Sequence, residues 1–135
     1  MKMLFNLPIF IREKLSLSEN VTDLVGDSIY PLVINDSDGS EQFPSILYNR
    51  EGIDTVVTKD RIHIQQQETY SFSCQAPTYS DCIDIVQSVS DCLLGLREET
   101  EDYFIVDVFY EGISESFSDD CVIVTLTLKF IINLK

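Results

Sequence analysis

Cys121-Val-Ile-Val-Thr-Leu-Thr-Leu-Lys-Phe-Ile-Ile132 decides the fold class. Val122, Val124, Leu126, Leu128, Phe130 and Ile132 fall on one side of an extended chain, and Thr125, Thr127 and Lys129 mark the other. Side chains of a strand alternate between its faces, so this period of two predicts a one-sided antiparallel strand. Its apolar face needs a cover. The segment Thr78–Leu94 supplies one, because Cys82, Ile83, Val86, Val89 and Leu93 recur at helical spacing. Pro77 precedes this helix, Thr78 is placed to cap it, and Asp81 stands at its third position. Gly95 closes it. The expectation is a long helix packed on the sheet face that carries Val122 to Ile132.

Between these two elements, Arg97–Asp102 reads as an acidic connector, Tyr103–Gly112 as a strand and Ile113–Asp119 as a polar turn. Upstream, Ile62–Cys74 reads as a strand, with Tyr70, Phe72 and Cys74 alternating against Thr69, Ser71 and Ser73. Ser45–Val57 reads as another strand, weakened at Gly52, and Asp60 between the two suggests a hairpin. Ser28–Ile34 is apolar and β-branched but contains Pro31. Proline cannot donate to a ladder, so this segment is an edge strand or an extended arm. Asn35–Gln42 is a polar loop.

At the N-terminus, Pro8 suits the first turn of a helix reaching about Ser16, with Ile11 and Leu15 on one face. Asn20 is a candidate cap for a short apolar turn of Val21, Leu24 and Val25, which Gly26 stops. There is no repeat and no internal boundary, so residues 1–135 are expected to form one domain. The expected class is α+β: a mainly antiparallel sheet of about four to five strands, packed by one long helix, with short N-terminal helices.

Nine Lys and Arg stand against 23 Asp and Glu, a net charge of −14 over 135 residues. Such a surface repels nucleic acid and anionic membrane, which argues against a basic groove for either. The plain reading of the charge is solubility. The sharper one is a partner with a basic patch, or a conduit through which DNA slides without sticking. The apolar run Leu4–Ile11 is broken by Asn6 and Pro8 and followed by Arg12-Glu13-Lys14. It lacks a small-residue cleavage site and does not read as a signal peptide. No run approaches the ~20 apolar residues of a membrane span.

Chemistry is sparse. Cys74, Cys82, Cys92 and Cys121 include no Cys-x-x-Cys pair and read as buried thiols of a cytoplasmic protein. The single histidine, His63, lies between Ile62 and Ile64 with no orienting carboxylate in the pattern. Asp36, Asp38 and Glu41 leave open a loose surface cation site. The calcium-loop reading fails, because aligning Gly39 on the loop glycine puts Ile34 and Ser45 where acids are needed. Glu98, Glu99, Glu101 and Asp102 read as a solvated run. No catalytic, cofactor-binding or metal-ligating residue is expected, and no cofactor. A small enzyme built on His63 and a thiol is the weaker reading, as is an acidic inhibitor that mimics DNA.

Val21-Thr-Asp-Leu-Val-Gly-Asp-Ser-Ile-Tyr-Pro-Leu-Val33 resembles the opening of the tail completion (minor tail, lambda-type tail terminator) family of tailed phages. In that family a short helix ends in a Leu-Val-Gly-like step and runs into an Ile-Tyr-Pro strand. Phe43-Pro-Ser-Ile-Leu-Tyr-Asn-Arg50, the alternating aromatics of Tyr70–Cys74, Thr78-Tyr-Ser-Asp81 and Leu93-Leu-Gly95 are similar to the elements that follow there. The resemblance covers Val21 to Gly95, and the chain departs from it in its acidity. It implies a structural virion protein of a phage or prophage, assembled in the host cytoplasm. Such a protein forms a ring, often a hexamer, at the head-proximal end of the tail tube. It stops tube polymerisation and presents a surface to the head–neck connector, with DNA passing through the lumen unbound. The implied partners are further copies of the chain, the tube protein and the connector, with no membrane. Another head–tail joining subunit is the nearest alternative. A ring of this kind suggests that Glu98, Glu99, Glu101 and Asp102 line its lumen.

Overall fold

Among the described residues, six strands form one sheet and three helices pack against one of its faces. The computed structural model describes residues 3–31, 44–57, 64–118 and 120–135. The elements run α1 (Leu7–Leu17), α2 (Glu19–Val25), β1 (Ile29–Pro31), β2 (Ser45–Val57), β3 (Ile64–Ala76), α3 (Tyr79–Leu93), β4 (Glu98–Glu99), β5 (Tyr103–Ser118) and β6 (Cys121–Leu134). Across the sheet the order is β1-β2-β3-β6-β5-β4. Only β1 and β2 are parallel, and every other neighbouring pair is antiparallel.

The deciding strand behaves as its pattern demands. Val124, Leu126, Leu128, Phe130 and Ile132 of β6 are buried. They stand opposite Cys74, Phe72, Tyr70, Glu68 and Gln66 of β3. Tyr70 meets Phe130 edge-on, with ring centroids 5.4 Å apart. From above, α3 adds Cys82, Ile85, Val86, Val89 and Leu93, and α1 adds Leu7, Ile11 and Leu15. Burying an aliphatic side chain of this size is worth about 1.5–3 kcal/mol.

The helix ends follow their sequence signals, with one change. The Thr78 hydroxyl accepts from the Asp81 amide at 3.2 Å, and Gly95 takes a φ of +74°. Gly26, at φ +60°, ends α2. The residue before α2 is Ser18, not Asn20, so α1 and α2 are joined by a single residue.

Three expectations are corrected. The sheet has six strands, not four to five, and is mixed, because β1 pairs in parallel with β2. The long helix shares its task with two others. Most telling, the polar turn from Ile113 does not exist: β5 continues to Ser118. Register shifts lie between Ile105 and Asp107 and between Tyr110 and Gly112. Each shift slips one extra residue into the strand and reverses the alternation that follows. Read at a strict period of two, the segment loses its pattern. Read across the shifts, Tyr103, Ile105, Val108, Tyr110, Ile113 and Phe117 all oppose core-facing residues of β6. Within the expected acidic connector, Glu98 and Glu99 form the short strand β4 against Ile105 and Phe104.

Candidate assembly surfaces

The two sheet faces differ sharply in chemistry. The helix-covered face is the core. On the other, β3 shows Gln65, Gln67, Thr69, Ser71, Ser73 and Gln75, and β6 shows Ile123, Thr125, Thr127, Lys129, Ile131 and Asn133. Lys129 is the one charge among these twelve, in a chain with 32 charged side chains by the sum of its acids and bases. Short polar side chains knit the surface across strands. Ser73 and Thr125 share a hydrogen bond at 3.1 Å, Gln65 donates to Asn133 at 3.1 Å, and Ser71 donates to Glu51 at 2.8 Å. This is a near-neutral surface, mostly of amides and hydroxyls.

The sheet edges are unlike each other. At one, β4 pairs only with Phe104 and Ile105. From Phe109 to Ser118 no strand pairs with the outer edge of β5 among the described residues. Here Tyr110, Ile113 and Phe117 lie 57%, 51% and 84% exposed, although they share the core-facing side of the sheet. Their exposure has a simple cause: the body of α3 lies across β3 and β6 and meets this part of β5 at its first residue, Tyr79. Glu115 sits against the Tyr79 hydroxyl, which raises the phenol pKa.

At the opposite edge, β1 covers β2 only from Ile46 to Tyr48. A groove of about 740 Å³ opens beside it, lined by Pro8, Ile9, Arg12 and Leu17 of α1 with Pro31 and Tyr48. Ile9 and Leu17 are exposed. The Arg12 Nε donates to the Ile29 carbonyl at 3.4 Å, and its charge lowers the Tyr48 pKa, though burial raises it more.

One charged cluster is buried. Glu68 is fully enclosed, yet Arg50 Nε lies 3.0 Å from its carboxylate. The Tyr70 hydroxyl donates to Glu68 at 2.8 Å, and Gln66 donates to it at 3.3 Å. Burial raises the Glu68 pKa, while these hydrogen bonds and Arg50 pull it back. The cluster also straps down the N-terminal segment. Gln66 accepts from the Leu4 amide at 2.9 Å and donates to the Leu4 carbonyl at 2.8 Å. Arg50 donates to the Phe5 carbonyl at 2.6 Å.

No family model and no curated protein matches the sequence. Among solved structures, the fold is similar to that of a chain from the virion of a native gene transfer agent particle. The TM-score is 0.68 at 13% identity, over 91% of this chain and 91% of that one. The likeness is one of fold.

Among the described residues, the thiols weighed for chemistry are engaged by backbone carbonyls. Cys82 donates to the Cys74 carbonyl at 2.8 Å and Cys92 to the Lys14 carbonyl at 3.6 Å. Burial raises the pKa of Cys74, Cys82 and Cys92, which keeps these thiols protonated and poor as nucleophiles. Among the described residues no three His, Cys, Asp or Glu side chains gather as metal ligands. His63, and the Asp36, Asp38 and Glu41 cation candidate, lie outside the described residues. Glu98 pairs with Lys14 at 2.6 Å and Glu99 with Lys135 at 2.5 Å, so half of the acidic run is tied down at the sheet edge. The groove beside β1 and the bare half of β5 were missed in the sequence. The signal for the latter was Tyr110, Ile113 and Phe117, hidden by the two register shifts.

Proposed function

We propose that this protein is a structural subunit of a phage-like particle, and within it a tail terminator. Copies would form a ring, six being the expected number, at the head-proximal end of the tail tube. One observation carries the reading: over nine-tenths of its length the chain has the fold of a virion component. Its surfaces fit the same reading, since they include a near-neutral face, two edges partly unpaired among the described residues and an apolar groove. The motifs from Val21 to Gly95 favour the tail terminator over other subunits.

In this reading the amide and hydroxyl face of β3 and β6 faces the lumen, in place of the acidic run at 98–102. A DNA-lining wall needs few cations, because phosphates are held by Lys and Arg in proportion to the contacts made. Lys129 is the one cation among the twelve β3 and β6 residues on that face. The tube protein and the head–neck connector would dock on the two rims of the ring.

Deleting the gene tests this. The expected result is tails of uncontrolled length and filled heads left unjoined, seen by electron microscopy. Tubes of normal length mated to heads would overturn it. Pull-down of the connector without the tube protein would instead make this a neck subunit.

A further inference from the structure

We propose that copies of this chain join by a head-to-tail contact in which Ile113 and Phe117, on the bare half of β5, seat in the α1–β1 groove of the next copy. This rests on the reading that the protein assembles with itself. The two surfaces lie at opposite edges of one sheet, β5 towards one end and β1 at the other. They therefore cannot meet within a single copy, but they can meet between copies.

Three observations make them a pair. The first is apolar match: Tyr110, Ile113 and Phe117 are exposed on one, and Ile9 and Leu17 on the other. The second is backbone. The outer edge of β5 is unpaired from Phe109, and that of β2 beyond Tyr48, among the described residues. A long edge bearing apolar side chains is a template for pairing, and a monomer usually blunts it with lysine, proline or a cover. From Phe109 to Ser118 this edge has neither lysine nor proline, its protections being the one shift at Glu111 and the one inward charge, Glu115. The third is charge. Glu111 and Glu115 lie on β5, while Arg12 in the groove has no carboxylate within ion-pair distance among the described residues. Glu13 lines this groove beside Arg12, and lines a smaller one by Thr100 to Tyr103 as well.

The contact is heterologous. A joined pair keeps one unused knob and one unused groove, so repetition closes a ring or extends a filament, but does not stop at two. The knob is made by the β5 register shifts, which hold Ile113 and Phe117 on the core side of the sheet, where they stay exposed beside the Tyr79–Glu115 contact at the start of α3.

The test mixes two crippled variants. One carries Ile113→Asp and Phe117→Asp, and the other Ile9→Asp and Leu17→Asp; all four sites are exposed, so thermal unfolding of each should stay near wild type. Light scattering and analytical ultracentrifugation then read mass. The wild type should form oligomers larger than a dimer, each variant alone a monomer, and the equimolar mixture a discrete heterodimer through the one intact knob and groove. Three results would overturn the proposal: a mixture that stays monomeric, a single variant that still assembles like wild type, or a wild type that stays monomeric to millimolar concentration. Deletion of the gene separates this from the functional reading. Normal tails in its absence would refute the tail role and leave the contact standing, and aberrant tails with a monomeric mixture would do the reverse.

Discussion

β5 is two strands in one. From Tyr103 to Val108 its inward side chains are sealed under the helices, and from Tyr110 to Phe117 the same row of the same strand lies bare. The inward row is apolar in the first half and, Glu115 apart, in the second, and the hydrogen bonding to β6 is continuous apart from the two shifts. What differs is the cover. Over the first half Phe10 of α1 packs against Tyr103, whereas the second half meets α3 at its first residue, Tyr79, beside Glu115, and leaves Tyr110, Ile113 and Phe117 exposed. An apolar residue in a strand thus signals that something will bury it, without saying whether this chain or another supplies the lid.

The contrast can be pressed from several sides. Glu68, Phe130 and Val108 lie in one row across the sheet, so the buried ion pair belongs to the sealed half. Arg50→Ala strands the Glu68 carboxylate and should cost about 3 kcal/mol, the lower end for breaking a buried pair. It should also speed amide exchange at Leu4, which a purely local loss would not. In urea, Ile105→Ala is expected to cost about 2–5 kcal/mol in the sealed half, while Ile113→Ser in the bare half should stay within about 0.5 kcal/mol. Equal losses at the two positions would mean that the bare half is covered in the free protein. Thr78→Ala removes the cap of α3 and should cost about 1 kcal/mol by the same measurement.

A smaller effect comes from pH. The folded Glu68 has a raised pKa, so it holds its proton where the unfolded carboxyl, near 4.5, has already lost it. Stability from this group is therefore fully present below about pH 4.5 and is lost as pH rises through the folded value. Relative to Glu68→Gln, the wild type should weaken over that rise. A difference that is flat with pH, or that grows in the opposite direction, would show that Arg50 and Tyr70 outweigh the burial.

Much of this was legible beforehand. Where burial is one-sided and regular, as in β6 and α3, the pattern named the element, the face and nearly the ends. The helix stops at Gly26 and Gly95 were visible because only a residue without a side chain takes those positive φ angles cheaply. The illegible parts share one cause, that a local pattern does not reveal its partner. Glu98 and Glu99 look like a solvated run until β5 lies beside them. Tyr110, Ile113 and Phe117 look scattered until the two extra residues are subtracted. Gln66, Glu68 and Arg50 look like surface residues of a hairpin until α1 and the Leu4 backbone close over them. The same limit hid the groove, whose walls come from α1, β1 and β2 together.

The strand order has a consequence for synthesis. β6 follows every other element in the chain, yet it lies at the centre of the sheet, between β3 and β5. While a ribosome is still making it, the β2–β3 hairpin and the β5 ribbon have no common seam, and α3 has only half a floor to rest on. The chain therefore commits to its fold only once β6 is in place, in one late step that closes contacts far apart in sequence, and such steps are slow. A nascent chain stalled before Cys121 should remain protease-sensitive throughout, and one extended past Leu134 should become resistant all at once.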